Sequence, residues 1–451
     1  MEAYSSSMQA KRSRGLLIYV SLGILCAIVG ISLGSSKRAV FTIGSLALLL
    51  FLFFLFVGLV RGVEDRTFFY LILAALVIRI ALAVVLHNSS IVKEADALTY
   101  NAEASRLSLA LLGTGPLFRT YATHAYGYVY FSSFIYAGFA ANSLVLEFIN
   151  CFVGVACGAY VYKIAMKIWE DRRAALVAAS LALFMPGILV WSTLNLKDNW
   201  VNLLILIAIW RLILIRERGA KSTDLVVVAI CIGALWTVRF YFSLLMAPLL
   251  LYAIGAGRRK SLVYLGILLL IVVLVFNYAF IGREIMGVKI GLEDISNRLS
   301  GLTSGGGSST GGYYDVSTPS GAIAFLPRGL VLLFFSPFPW NAPTSTLYAL
   351  TFPEMVFIYL LWPFIIVGIV RALKRKLVAI DIVFLFATST SILYALMAGN
   401  IGTFYRARTP VMLLLFIFAA GGLLKVHQEK DQPERADVES AFVDECGGCI
   451  A

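Results

Sequence analysis

Charge is scarce in this chain. Of 451 residues only 14% are Asp, Glu, Lys or Arg, histidine occurs three times, 60% are hydrophobic, and the mean hydropathy is +0.88. A soluble domain carries about 25% charged residues, so that class is excluded. Absent too is any alternation of apolar and polar residues over ten-residue segments, which excludes a barrel of strands, and any internal repeat of fixed period, which excludes a solenoid. The six cysteines carry little information: Cys26, Cys151, Cys157 and Cys231 fall inside apolar runs, and the tail pair Cys446 and Cys449 lacks the second pair or the histidines that a zinc site needs. His87 and His124 have no ligand spacing between them, so no metal site is assigned. The formal charge of +12 comes from Lys and Arg in short connectors, which removes nucleic acid as a partner.

What is present is a series of apolar runs of about twenty residues, each able to cross a hydrocarbon core of about 30 Å as a helix. The fold class is therefore all-α: a polytopic membrane protein with about twelve transmembrane helices and amphipathic helices on its outer face. The spans read as 15–34, 39–59, 67–86, 144–166, 174–193, 200–215, 225–238, 240–254, 262–281, 353–370, 378–397 and 410–424. The run at 15–34 has no cleavable signal and reads as an anchor, and the short seventh and eighth spans form a hairpin. Lys and Arg recur in alternate connectors, "KRSR" at the start, "EDRR" at Glu170, "RERGAK" at Arg216, "GRRK" at Gly257 and "RALKRK" at Arg371. By the positive-inside bias these connectors and both termini are cytoplasmic.

The chain divides into an N-terminal transmembrane hairpin (1–66), a core (67–281) with a first outer loop (87–143), an outer loop or lid (282–352), C-terminal transmembrane helices (353–424) and a disordered cytoplasmic tail (425–451). The first loop holds "GYVYFSSFIYAGFAAN", too short to span and suited to an interfacial or re-entrant helix. The second carries a flexible "TSGGGSSTGG" and then "FLPRGLVLLFFSPFPWN", whose Pro337 and Pro339 stop a helix.

In "KEADALTYNAEASR" a helix from Lys93 puts Asp96, Tyr100 and Glu103 on one face, at spacings of four and three. A carboxylate partly desolvated beside lipid suits a proton acceptor for a hydroxyl, and Asp96 and Glu103 are the candidates, with Glu94 close by. On spacing alone ordinary surface acids explain the same pattern. Arg79 lies inside its span and needs a partner or a polar cavity; Glu147, at the start of the fourth span, is either that partner or a second acid of the site.

The stretch "ALVIRIALAVVLHNSSIVKEADALTYNAEASRLS" resembles the first core span and first outer loop of the C-type glycosyltransferases, the GT-C superfamily of polyprenyl-phosphate-sugar-dependent enzymes. The pattern is an apolar span with an embedded arginine, then an acid, a tyrosine and a small residue, here Arg79, Asp96, Tyr100 and Ala104. The likeness runs from about Leu71 to Leu214 and includes "EDRRAA" and the Pro-Gly of the following span. It departs where the family often has two adjacent acids, because Ala97 follows Asp96.

The resemblance implies transfer of a sugar from a polyprenyl-phosphate-linked or diphosphate-linked donor, such as an undecaprenyl carrier, to a glycan, lipid or protein acceptor. The site then lies on the outer face of a bacterial inner membrane, with an aspartate as base and inversion at the anomeric carbon. A leaving phosphate calls for cations. Arg406 and Arg408 in "GNIGTFYRART", Arg239 in "LWTVRFYFS", and Lys197 with Asp198 in "NLKDNW" all fall at the outer level and are assigned to substrate binding with Tyr100 and Glu147. Arg406 and Arg408 diverge on a regular helix, so an unwound end is needed for both to grip one ligand. A divalent cation held by Asp96, Glu103 and donor phosphates is compatible with the sequence.

Two other readings compete. An O-antigen-type polymerase or ligase works through arginines of a large late loop, and Arg283, Arg298 and Arg328 fit one. A lipid-linked sugar transporter or flippase needs ionisable residues along both leaflets, whereas these cluster at one end.

Overall fold

A computed structural model describes residues 65–89, 94–116, 125–139, 142–255, 292–304, 315–340, 349, 352–375, 380–397 and 401–424. The expected spans at 15–34, 39–59 and 262–281, and the tail after 425, lie outside the described residues. Every regular element among the described residues is a helix, and six are long and apolar enough to cross a membrane by length and composition, one of them (222–255) only when its two halves are counted together. The all-α, polytopic reading of the sequence is thereby borne out.

The core begins with α1 (Arg66–Asn88), whose N-terminus is capped by the side chain of Asp65. Two short helices follow, α2 (Ala95–Leu111) and the apolar α3 (Tyr126–Phe139), inside what the sequence marks as the first outer loop. Next come α4 (Ser143–Trp169), α5 (Arg172–Phe184), α6 (Pro186–Trp191) and α7 (Asp198–Arg218). The expected single span at 174–193 is two shorter helices, because Pro186 lacks the N–H that would continue α5.

Residues 222–255 form α8 (Ser222–Gly255), interrupted by non-helical backbone at Arg239, with φ −153° and ψ 81°. The chain doubles back there. Ser243 Oγ donates to the carbonyl of Ile232 at 2.8 Å, although a straight helix holds residues eleven apart about 16 Å from each other. Asp224, near one end of α8, pairs with Arg211 and Arg218; Tyr252, near the other, donates to Asp381, which also meets Arg216. Both ends of α8 thus lie at the C-terminal end of α7, and Arg239 sits at the tip between two antiparallel arms.

The remaining helices are α9 (Leu292–Ser304), α10 (Pro319–Phe335), α11 (Pro353–Lys374), α12 (Ile380–Ala395) and α13 (Ile401–Leu423). Burial sorts them. The spanning windows of α4 and α13 are 89% buried and form the centre, whereas those of α8 and α11 are 28% buried and leave apolar faces such as Leu360 and Ile366 outward. At the centre α11 packs on α13 through glycine: a Cβ on Gly368 would run into the carbonyl of Phe418, and one on Gly422 into that of Phe364. Such close backbone approach is how helices associate where lipid removes the hydrophobic incentive.

Candidate active site

The site forms where the N-termini of α7 and α13, the start of α2 and the tip of α8 meet. Its floor is the short segment between α6 and α7, and one buried amide holds that segment in place. Asn150 of α4 donates from Nδ2 to the carbonyls of Leu194 and Leu196, at 2.6 and 2.9 Å, and accepts from Trp200 Nε1 at 2.9 Å. Tyr128 of α3 donates to Asn195 Oδ1 at 2.7 Å. Three helices, α3, α4 and α7, therefore fix the two residues that follow, Lys197 and Asp198.

Asp198 opens α7, where the unpaired N–H groups of the first turn favour a negative side chain. Its Oδ2 accepts from Arg406 Nε at 2.8 Å and its Oδ1 accepts from Arg239 Nη2. One carboxylate thus joins the last helix to the α8 tip. Arg239 also donates to the hydroxyls of Tyr241 and Tyr394, at 2.9 and 2.6 Å. Arg406 reaches α2 as well: Nη1 donates to Asp96 Oδ2 at 2.6 Å and to Glu94 Oε1 at 3.2 Å. Its guanidinium lies 6.0 Å from the ring centre of Trp191. Lys197 Nζ stands 5.6 Å from the ring centre of Tyr100, a cation–π arrangement.

Burial sets the electrostatics. It pushes the Lys197 ammonium down to about 7, helped by the nearby Arg239 guanidinium. It pushes the Glu94 carboxyl up against the pull of Arg406, and pushes the Tyr100 hydroxyl up further from its ordinary range. The acid raised by burial is therefore Glu94 at the helix cap, while the Asp96 side chain is 43% exposed.

The sequence-assigned residues separate into two groups. Asp96, Tyr100, Lys197, Asp198, Arg239 and Arg406 come together, joined by Glu94, Trp191, Tyr241 and Tyr394. Nothing in the sequence marks the last two, because Tyr394 belongs to an unremarkable apolar helix. Glu103 shares the α2 face with Asp96 but is buried two turns, about 10 Å, further along.

Arg408 is a correction to the paired phosphate clamp. The last helix begins at Ile401 rather than at 410, so no unwound end lets Arg406 and Arg408 point the same way. Arg408 instead donates to the carbonyl of Ser336 at 2.7 Å and to Glu354 Oε1 at 3.3 Å. Glu147 pairs with His87 at 3.1 Å and does not serve Arg79, which donates to Ser192 Oγ at 2.8 Å. Arg328 is exposed on α10; the side chain of Arg298, on α9, lies outside the described residues. Among the described residues no group of three or more His, Cys, Asp or Glu side chains forms a metal-ligating set.

Fold and site define an all-α membrane protein with an acid and guanidinium cluster at one end of its bundle. Residues 123–280, about a third of the chain, match the family model described as dolichyl-phosphate-mannose-protein mannosyltransferase, and the GT-C superfamily resemblance is thereby borne out. No curated protein sequence matches the chain. The archaeal oligosaccharyltransferase AglB from Archaeoglobus fulgidus, in complex with an inhibitory peptide and a dolichol-phosphate, aligns at 17% identity with a TM-score of 0.49, covering 86% of this chain and 53% of that one. The Archaeoglobus fulgidus oligosaccharyltransferase in the apo form aligns at 16% identity with the same TM-score and coverage. The chain thus spans about half the length of those structures.

Proposed function

We propose that the protein transfers a sugar from a polyprenyl-phosphate-linked or polyprenyl-diphosphate-linked donor to an acceptor hydroxyl on the extracytoplasmic face of the membrane. In this reading the catalytic core is 67–281 with its first loop at 87–143, and 282–352 is an outer loop or lid. What carries the reading is that Asp96 and Arg406, 310 positions apart, touch at 2.6 Å in a cluster that also holds Arg239 and Lys197. A base and phosphate-binding cations are the two groups this chemistry demands.

In the proposed step the acceptor hydroxyl gives its proton to Asp96 as its oxygen attacks the anomeric carbon. The anomeric carbon–oxygen bond to the phosphate breaks, and the leaving oxygen keeps the electron pair. Arg406, Arg239 and Lys197 meet the charge that develops on the phosphate, and Asp198 positions both guanidinium groups. Attack opposite the leaving group inverts the anomeric centre. The orientation is supported by the charge bias: α7 runs from the cluster to Arg216 and Arg218, and the basic connectors keep that end cytoplasmic.

Transfer by the reconstituted protein from a lipid-linked sugar tests this. Asp96→Asn is expected to lower turnover by roughly a hundredfold to ten-thousandfold, the usual worth of a positioned base. Full transfer by Asp96→Asn, together with loss in Arg298→Gln or Arg406→Gln, would instead favour the polymerase or ligase reading. Movement of the lipid-linked sugar across the bilayer without covalent transfer would favour a flippase.

A further inference from the structure

Arg406 makes three carboxylate contacts, and they are not equivalent. Asp198 is buried, opens a spanning helix and is shared with Arg239, which makes it a fixed part of the cluster. Glu94 and Asp96 lie at the cap and first turn of α2, a helix outside the spanning set, and both meet the same atom, Arg406 Nη1.

A carboxylate and a phosphate offer a guanidinium the same kind of paired anionic oxygens. The edge of Arg406 that faces α2 is therefore the edge an incoming lipid phosphate needs. The contact of Asp96 with Arg406 and the contact of phosphate with Arg406 compete for one donor atom.

We propose that Glu94 and Asp96 act as a built-in phosphate mimic on Arg406: the donor's phosphate displaces Asp96 from the guanidinium, and only then is that carboxylate free to take the acceptor's proton. This rests on the sugar-transfer reading above and adds an order to it, donor before acceptor. Charge supports the exchange. Two guanidinium groups, Arg239 and Arg406, already face three acids, Glu94, Asp96 and Asp198, so an arriving phosphate needs one acid to withdraw from the guanidinium. Asp96 can do so, because its side chain is 43% exposed and water can take over its oxygens. The coupling also protects the lipid-linked sugar: a base that is engaged until the leaving group is gripped does not activate an acceptor in advance.

The test is equilibrium binding of a polyprenyl monophosphate in detergent micelles to the full-length protein. Asp96→Asn is isosteric and removes the competing charge, so it is expected to bind the lipid phosphate about fivefold tighter than wild type, the upper range for one partly exposed ion pair. Glu94→Gln is expected to shift binding in the same direction. Arg406→Gln is expected to weaken it roughly tenfold or more. The Asp96→Asn gain should persist at high salt, where only direct contact survives screening. Unchanged or weaker binding by Asp96→Asn, or a gain that vanishes at high salt, overturns the mimic while the loss in Arg406→Gln still upholds the phosphate site. Wild-type binding by Arg406→Gln overturns both.

Discussion

Arg408 Nη2 lies 3.3 Å from Glu354 Oε1, and both side chains are buried, at 1% and 5% exposure. The pair ties α13 to α11, and the carbonyl of Ser336, which accepts from Arg408 Nη1 at 2.7 Å, brings in the end of α10. Two residues earlier on the same helix, Arg406 belongs to the site. The spacing explains the division, since residues two apart on a helix point about 200° apart.

Arg408→Met should therefore cost stability without touching donor binding. It strands Glu354 as a buried carboxylate, and breaking such a pair costs about 3–5 kcal/mol. The double variant Arg408→Met with Glu354→Leu should recover most of that loss, because an apolar pair of similar volume is often neutral or better. Thermal unfolding in detergent reads both effects. Wild-type stability in the single variant would mean that the pair holds nothing together.

The site residues were legible because the chain uses so few charges. Asp96, Lys197, Asp198, Arg239 and Arg406 each stand out against apolar surroundings, and hydropathy places all five at one end of the bundle. Their partners were not legible, since pairing across helices is a tertiary property. The error on Arg408 traces to Pro410, which reads as a helix start. Inside a membrane bundle neighbouring groups satisfy the backbone that proline frees, and α13 runs straight through it from Ile401. The reversed error occurs at Pro186, where the chain does break and the break creates the floor of the site. Glu147 reads from depth alone as either a mate for Arg79 or a second acid of the site, whereas geometry gives it to His87.

Lys197 makes the site pH-dependent. Burial, with Arg239 nearby, holds its ammonium down to about 7 from an ordinary 10.5. Between those values the unfolded chain binds the proton and the folded protein does not, so stability gains from rising pH across that window. Phosphate binding responds with the opposite sign, since it draws on the charged form. The groups around Lys197 are Asp198, Arg239, Arg406, Asp96 and the Tyr100 ring, with Glu94 reached through Arg406. Of these, Glu94 is itself raised by burial, against the pull of Arg406. Affinity for a polyprenyl phosphate should fall roughly tenfold as pH rises through about 7, the worth of one charge-assisted contact. Lys197→Arg keeps its charge and should flatten that profile. A wild-type profile that is already flat across this range would remove Lys197 from the phosphate site.

Arg79 presents the opposite case, a buried cation without an acid. Its side chain is 0% exposed. Nε donates to Ser192 Oγ at 2.8 Å and Nη1 to the carbonyl of Ala75 at 3.3 Å, while Nη2 has no hydrogen-bond partner among the described residues. Two effects compete in Arg79→Met. Removing the guanidinium relieves a desolvation penalty of several kcal/mol for a buried ion. It also gives up two hydrogen bonds from a charged donor, worth about 1.5–3 kcal/mol each. Ser192 Oγ keeps its bond to the carbonyl of Leu189 at 2.8 Å, so no hydroxyl is stranded, and Met fills a similar volume. The balance favours a variant as stable as wild type or more so, with thermal unfolding in detergent as the measurement. A loss of more than about 2 kcal/mol would show that the hydrogen bonds outweigh the desolvation and that Arg79 is a structural tie between α1 and the break after α6.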